Sequence, residues 1–102
     1  MTDAEFLQAV KHAVLEIDPQ AEVWLFGSRA RGDARPDSDW DFLVLTPKPV
    51  DRAYKYVFWD HLNDLELATE RAISTRVWNK ENWHDMAVTD LYQNIQDDGK
   101  RV

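Results

Sequence analysis

Apolar residues recur at helical spacing from the start of the chain. Phe6, Val10, Ala13, Val14 and Ile17 fall three to four positions apart, the repeat of a helix with one buried face. The spacing predicts a helix over residues 2–17. Thr2 and Glu5 match a capping box, in which a hydroxyl and a carboxylate each satisfy an orphaned backbone N–H, and Pro19 ends the element. Residues 21–26 are short, apolar and aromatic, closed by Gly27, and read as a strand. The next twelve residues, 27–38, are dense in Gly, Ser, Asp and Pro and read as a loop. A second strand is predicted over 39–45, closed by Pro47 and Pro49, which deny ladder hydrogen bonds.

The helical period returns over residues 50–72, with Tyr54, Phe58, His61, Leu62, Leu65, Ala68 and Ala72 as its apolar stripe. Residues 73–78 predict a third strand. Asn79 is placed to cap a last helical region from Lys80, broken near Thr89 and stopped at Gly99. The order is α-β-β-α-β-α, without repeat, low-complexity tract or linker. It predicts one domain over residues 1–102, of mixed α/β (α+β) class.

A chain of 102 residues buries roughly two-thirds of its unfolded surface, enough for one core without staples. With no cysteine, neither disulfides nor thiolate chemistry is available. No signal-peptide pattern opens the chain, and no apolar run nears the roughly 20 residues of a membrane span. A cytoplasmic location without membrane contact is the expectation. The net charge of −7 argues against broad nucleic-acid binding, which needs clustered cations. Arg29, Arg31 and Arg35 nevertheless fall within seven positions. They read as a patch for a small anionic ligand, or else as a solvated basic loop.

Two short features change that balance. Asp39 and Asp41 alternate on one strand, so they project from the same side with Cα atoms roughly 6–7 Å apart. Such carboxylates repel each other unless a cation lies between them. A hard divalent ion, Mg²⁺ or Mn²⁺, fits that need and bridges carboxylates to nucleotide phosphates. Gly27, directly after a strand, lets backbone N–H approach a phosphate closely, and Ser28 adds a hydroxyl donor. A helix starting at Ser28 would favour the same anion, and Arg31 would neutralise charge at the rim. Trp40, Phe42 and Val44 point to the opposite face, committing it to the core.

Gly27-Ser28, ten residues, then Asp39-x-Asp41 resembles the signature of the DNA polymerase β-like nucleotidyltransferase superfamily. The fuller wording, Gly-Ser-Arg-Ala-Arg-Gly followed by Ser38-Asp39-x-Asp41, is similar to the minimal nucleotidyltransferases (MNT), the partners of HEPN proteins in toxin–antitoxin pairs. The resemblance implies a small mixed sheet backed by helices. It implies Asp39 and Asp41 as catalytic residues and metal ligands, with Gly27, Ser28, Arg31 and Ser38 on the nucleotide. It further implies ATP as substrate, AMP transfer to a HEPN toxin, and neutralisation of that toxin. Two metals would serve in-line attack on the α-phosphorus.

Active members of the superfamily generally add a third carboxylate from a later strand. By register that position is Ser74, with Arg76 two residues on along the same face. Glu66, Glu70 and Glu81 are the alternatives that might replace it, each otherwise a solvated helix residue. The missing carboxylate keeps open a non-catalytic antitoxin with a vestigial nucleotide site. Adenylylation of a small molecule is a third reading, weakened by the lack of a second domain to enclose it. His12, His61 and His84 lack metal-ligand spacing, and His61 reads as a packed histidine. Tyr56 and Trp59 read as interface aromatics, leaving homo- or hetero-oligomers open. The acidic pair Asp97-Asp98 sits poorly at a helix C-terminus.

Overall fold

The computed structural model describes all 102 residues. Its elements are α1 (Asp3–Ile17), β1 (Glu22–Phe26), α2 (Ser28–Arg31), β2 (Trp40–Thr46), α3 (Arg52–Thr69), β3 (Ile73–Asn79), α4 (Lys80–His84), α5 (Asp90–Asp98) and β4 (Lys100–Arg101). The capping box is present: Glu5 N–H donates to the Thr2 hydroxyl at 3.1 Å and Thr2 N–H to Glu5 Oε1 at 2.9 Å. Asn79 caps α4 through Glu81 and Asn82 N–H. The final helical region is divided, with Thr89 capping α5. Strand β4 was not expected. Its two charged residues carry no apolar pattern and are strand only because they pair with the free edge of β1.

The four strands lie in the order β3-β2-β1-β4. β1 runs antiparallel to β2 and β4, while β2 and β3 are parallel. A parallel pair needs a crossover, and α3 supplies it. The sheet is mixed and backed by helices, as expected.

Alternation along β2 divides the core. Trp40, Phe42 and Val44 join Phe6, Val10 and Val14 of α1 and Phe58 and Leu62 of α3 on one face. Leu43 and Leu45 lie on the other, with Trp83 of α4 and Ile95 of α5. A strand covered on both faces reads as a continuous apolar run, which explains residues 42–45. Two details depart from the expected α3 stripe. Ala68 and Ala72 are exposed, so the stripe ends at Leu65. His61 is not packed in the core: its Nε2 lies 3.2 Å from Glu16 Oε2, bridging α3 to α1.

Trp78 and Tyr92 are half-buried around Trp83. Tyr56 and Trp59 remain exposed, and Trp59 Nε1 donates to Thr75 O on the outer edge of β3 at 3.0 Å. No helix is long and apolar enough to cross a membrane.

The buried polar anchor of the fold is Asp18, just after α1, 1% exposed. Thr46, at the end of β2, donates its hydroxyl to Asp18 Oδ2, and Gln20 N–H donates to Oδ1 at 3.0 Å. Burial pushes the carboxyl pKa up. The bonds from Thr46 and Gln20, the Lys48 charge and the Tyr54 hydroxyl outweigh burial and hold it below the ordinary value. A lowered pKa makes Asp18 stabilising above the ordinary carboxylate range, an effect lost as pH falls through the folded value. Asp18→Ala strands the Thr46 hydroxyl and is expected to cost about 2 kcal/mol at neutral pH. Urea melts check this, and the gap to the parent protein should narrow in acid.

Candidate active site

β1 ends at Phe26, whose Cα partner across the antiparallel pair is Asp41. The next residue, Gly27, has φ +75° and ψ −158°, a conformation that L side chains rarely adopt. It turns the chain across the Asp41 carboxylate: a Cβ at Gly27 would lie 3.3 Å from Asp41 Cγ and collide with Oδ2. Glycine is therefore required twice here, for the backbone and for the space.

Residues 27–38, read as a loop, open with a short helix at Ser28, but α2 is only four residues long. A macrodipole of that length counts for little, and the local donors matter more. Gly27 O accepts the N–H of Ala30 and Arg31, each at 3.1 Å. The first-turn N–H groups of Ser28 and Arg29 have no intrahelical acceptor. Ser28 is partly exposed beside them.

The loop back to β2 is organised by Arg29. Its Nη2 donates to Pro36 O at 3.2 Å and to Ser38 O at 2.9 Å, and its guanidinium lies 4.6 Å over the Trp40 ring. Arg29 is thus a structural clamp, not part of an anion patch. Ser38, expected at the nucleotide, helps close the same loop: its hydroxyl accepts Arg35 N–H at 2.9 Å, and its own N–H donates to Arg35 O at 3.0 Å.

Asp39 lies just before β2 rather than in it and is exposed, whereas Asp41 is half-buried. The two carboxylates are therefore unequal. Burial pushes the Asp41 pKa up, and the charge of Asp39 adds to the shift; Arg76 and Arg31 oppose it without cancelling it. An uncompensated acidic pair with oxygen donors suits a hard divalent cation, whose remaining ligands would be phosphate oxygens and water. Nowhere, this pair included, does the chain bring together three or more His, Cys, Asp or Glu that could hold a metal.

The parallel register pairs Asp41 with Ser74 and Leu43 with Arg76. The β3 residue beside Asp41 is thus Ser74, as the register reading expected. None of the alternatives reaches it. Glu66 is engaged at the outer edge of β3, where Ile73 N–H donates to its Oε1 at 2.6 Å. Glu70 follows α3 in an exposed left-handed turn at φ 56°. Glu81 lies in α4, beyond the far end of β3. Arg31 is half-exposed and bonded to Asp33 Oδ2 at 3.2 Å, with Asp98 Oδ2 at 3.9 Å. That contact gives Asp98 a purpose that its place in the sequence hid, since residues 31 and 98 meet only through the fold.

Residues 7–101 match the nucleotidyltransferase domain family. The chain belongs to that family. Among its relatives, the probable protein adenylyltransferase MntA of Haemophilus influenzae is 38% identical over 48 residues. The match covers 47% of this chain and 42% of that protein, less than half its length. Two solved structures share the fold. One, a toxin–antitoxin with AMP-PNP, has TM-score 0.68 at 21% identity, over 98% of this chain and 72% of that chain. The other, the tri-AMPylated Shewanella oneidensis HEPN toxin in complex with MNT antitoxin, has TM-score 0.66 at 19% identity, over 98% and 71%. At these identities the likeness is one of fold, so the case for a site in this chain rests on its own geometry.

Thermal melts with and without Mg·ATP test that geometry. Gly27→Ala is expected to lower the melting temperature, since that backbone conformation alone costs a residue with a Cβ about 1–3 kcal/mol, and to lose the ligand-induced rise. Asp41→Asn removes a destabilised charge and is expected to raise the ligand-free melting temperature, again without a rise on adding Mg·ATP.

Proposed function

We propose that this domain transfers AMP from ATP to a hydroxyl of a partner protein, the partner being a HEPN-type toxin that the transfer neutralises. The carrying observation is the approach of Gly27 to Asp41, with Asp39, Arg31 and Arg76 acting on the same carboxylate. One acidic pair and two guanidinium groups around a backbone corner suit a metal-bound triphosphate. The family membership supplies the reaction class. The probable adenylyltransferase relative and the AMPylated toxin complex of like fold support AMP and a protein acceptor. ATP and divalent metal make the cytoplasm the expected setting, with residues 1–102 acting as one domain.

In this reading Asp39 and Asp41 hold Mg²⁺ or Mn²⁺, which when bound would supply charge neutralisation at the phosphates. The N–H groups of Ser28 and Arg29 and the Ser28 hydroxyl face the phosphate oxygens. Arg31 exchanges Asp33 and Asp98 for phosphate, and Arg76 adds positive charge from β3. The acceptor oxygen bonds to the α-phosphorus, the α–β bridging bond breaks, and pyrophosphate leaves with its electron pair. The hydroxyl proton passes to water, because Ser74 beside Asp41 is no base at neutral pH. Catalysis then rests on positioning and electrostatics.

Ser74 is also the observation on which a binding-only antitoxin would rest. Incubation with α-labelled ATP, Mg²⁺ and a HEPN-type toxin as candidate acceptor separates the two. Label is expected on the partner, with Asp39→Ala reducing it at least about a hundredfold. A tight complex that forms without label, indifferent to ATP and to Asp39→Ala, would overturn transfer.

A further inference from the structure

The face of the sheet that carries Asp41 continues into a cavity of about 440 Å³. Leu43, two residues along β2 on the same face, lines it, as does Trp24, the Cα partner of Leu43 on β1. Trp83 of α4 and Ile95 of α5 form the opposite wall. Resting on the nucleotidyltransferase reading above, we propose that this cavity receives the purine base of the nucleotide whose phosphates meet Gly27 and Asp41.

Three observations favour a base over a charged or aliphatic occupant. The walls are aromatic and apolar, and flat rings gain from stacking on such surfaces. The two fixed charges that line the cavity, Glu22 and Lys80, are paired with each other, so neither is left free for an ionic ligand. His84 and Gln96 also line the cavity. Both are exposed and engage in no side-chain bond within the chain, leaving donors and acceptors for the edge of a base.

Placement agrees with chemistry. Successive same-face residues on a strand are roughly 6–7 Å apart, so Asp41 and the cavity wall at Leu43 are separated by about one sugar. Arg31 marks the junction. It reaches from α2 toward Asp98, the neighbour of the cavity-lining Gly99. A nucleotide lying across the face would pass Arg31 at the ribose and α-phosphate.

Comparing Mg·ATP with Mg·tripolyphosphate, which has the phosphates but no base, tests the assignment by calorimetry and tryptophan fluorescence. ATP is expected to bind at least about tenfold tighter and to change the emission, whereas tripolyphosphate leaves emission unchanged. Gln96→Ala and His84→Ala together, both surface changes, are expected to weaken ATP several-fold and leave tripolyphosphate unaffected. Equal affinity for the two ligands in the parent protein, or unaltered ATP binding in the double variant, overturns the base site alone. Failure of both ligands to bind overturns the phosphate site and the base site together.

Discussion

The site depends on a side chain that is not there. Antiparallel pairing sets Phe26 opposite Asp41, so whatever follows Phe26 must turn against that carboxylate. A Cβ would collide with it; glycine, at φ +75°, lets the backbone cross instead. Backbone donors and a carboxylate from neighbouring strands are thereby brought into one place, and the rest of the molecule keeps them there. Arg29 does so most directly, tying the loop to Trp40, which is itself packed on Phe6 with ring centroids 4.9 Å apart.

The two faces of the sheet divide the labour. One is sealed by α1 and α3 and holds the larger core. The other carries the smaller cluster of Leu43, Leu45, Trp83 and Ile95, with Asp41 and Ser74, both half-buried, next along β2 and β3. The half-buried Asp41 carries its charge at a cost in stability, for burial and Asp39 both disfavour ionisation. A cation held there, as proposed, would release that free energy and couple ligand binding to stability. Asp18 shows the opposite arrangement. It is more deeply buried, yet its bonds hold the charged form, and it acts as a structural anchor.

Much of this was legible in the chain. Helical periodicity gave α1 and most of α3, and alternation assigned Trp40, Phe42 and Val44 to the core because a strand has only two faces. The Gly27-Ser28 and Asp39-x-Asp41 spacing singled out a corner and a carboxylate that the fold brings against each other, and strand register placed Ser74 beside Asp41. What escaped were features set by long-range contact. β4 is a strand only by pairing, Asp98 meets Arg31 across the fold, and Arg29 turned inward to bind carbonyls where a free cation had been expected. Ser38 likewise serves the loop. Local pattern records propensity and faces; it carries no record of which distant polar groups an arginine will find.

The central claim is that the Gly27 corner and the Asp39–Asp41 pair share one cation. Paramagnetic broadening by Mn²⁺ in the presence of ATP measures this directly, residue by residue, in backbone amide spectra. The account predicts that the signals of Gly27, Ser28, Asp39 and Asp41 broaden together at low Mn²⁺, ahead of the acidic surface of α3 and α5. Broadening at the aspartates that leaves Gly27 and Ser28 sharp, or that begins at Asp97 and Asp98, would contradict it.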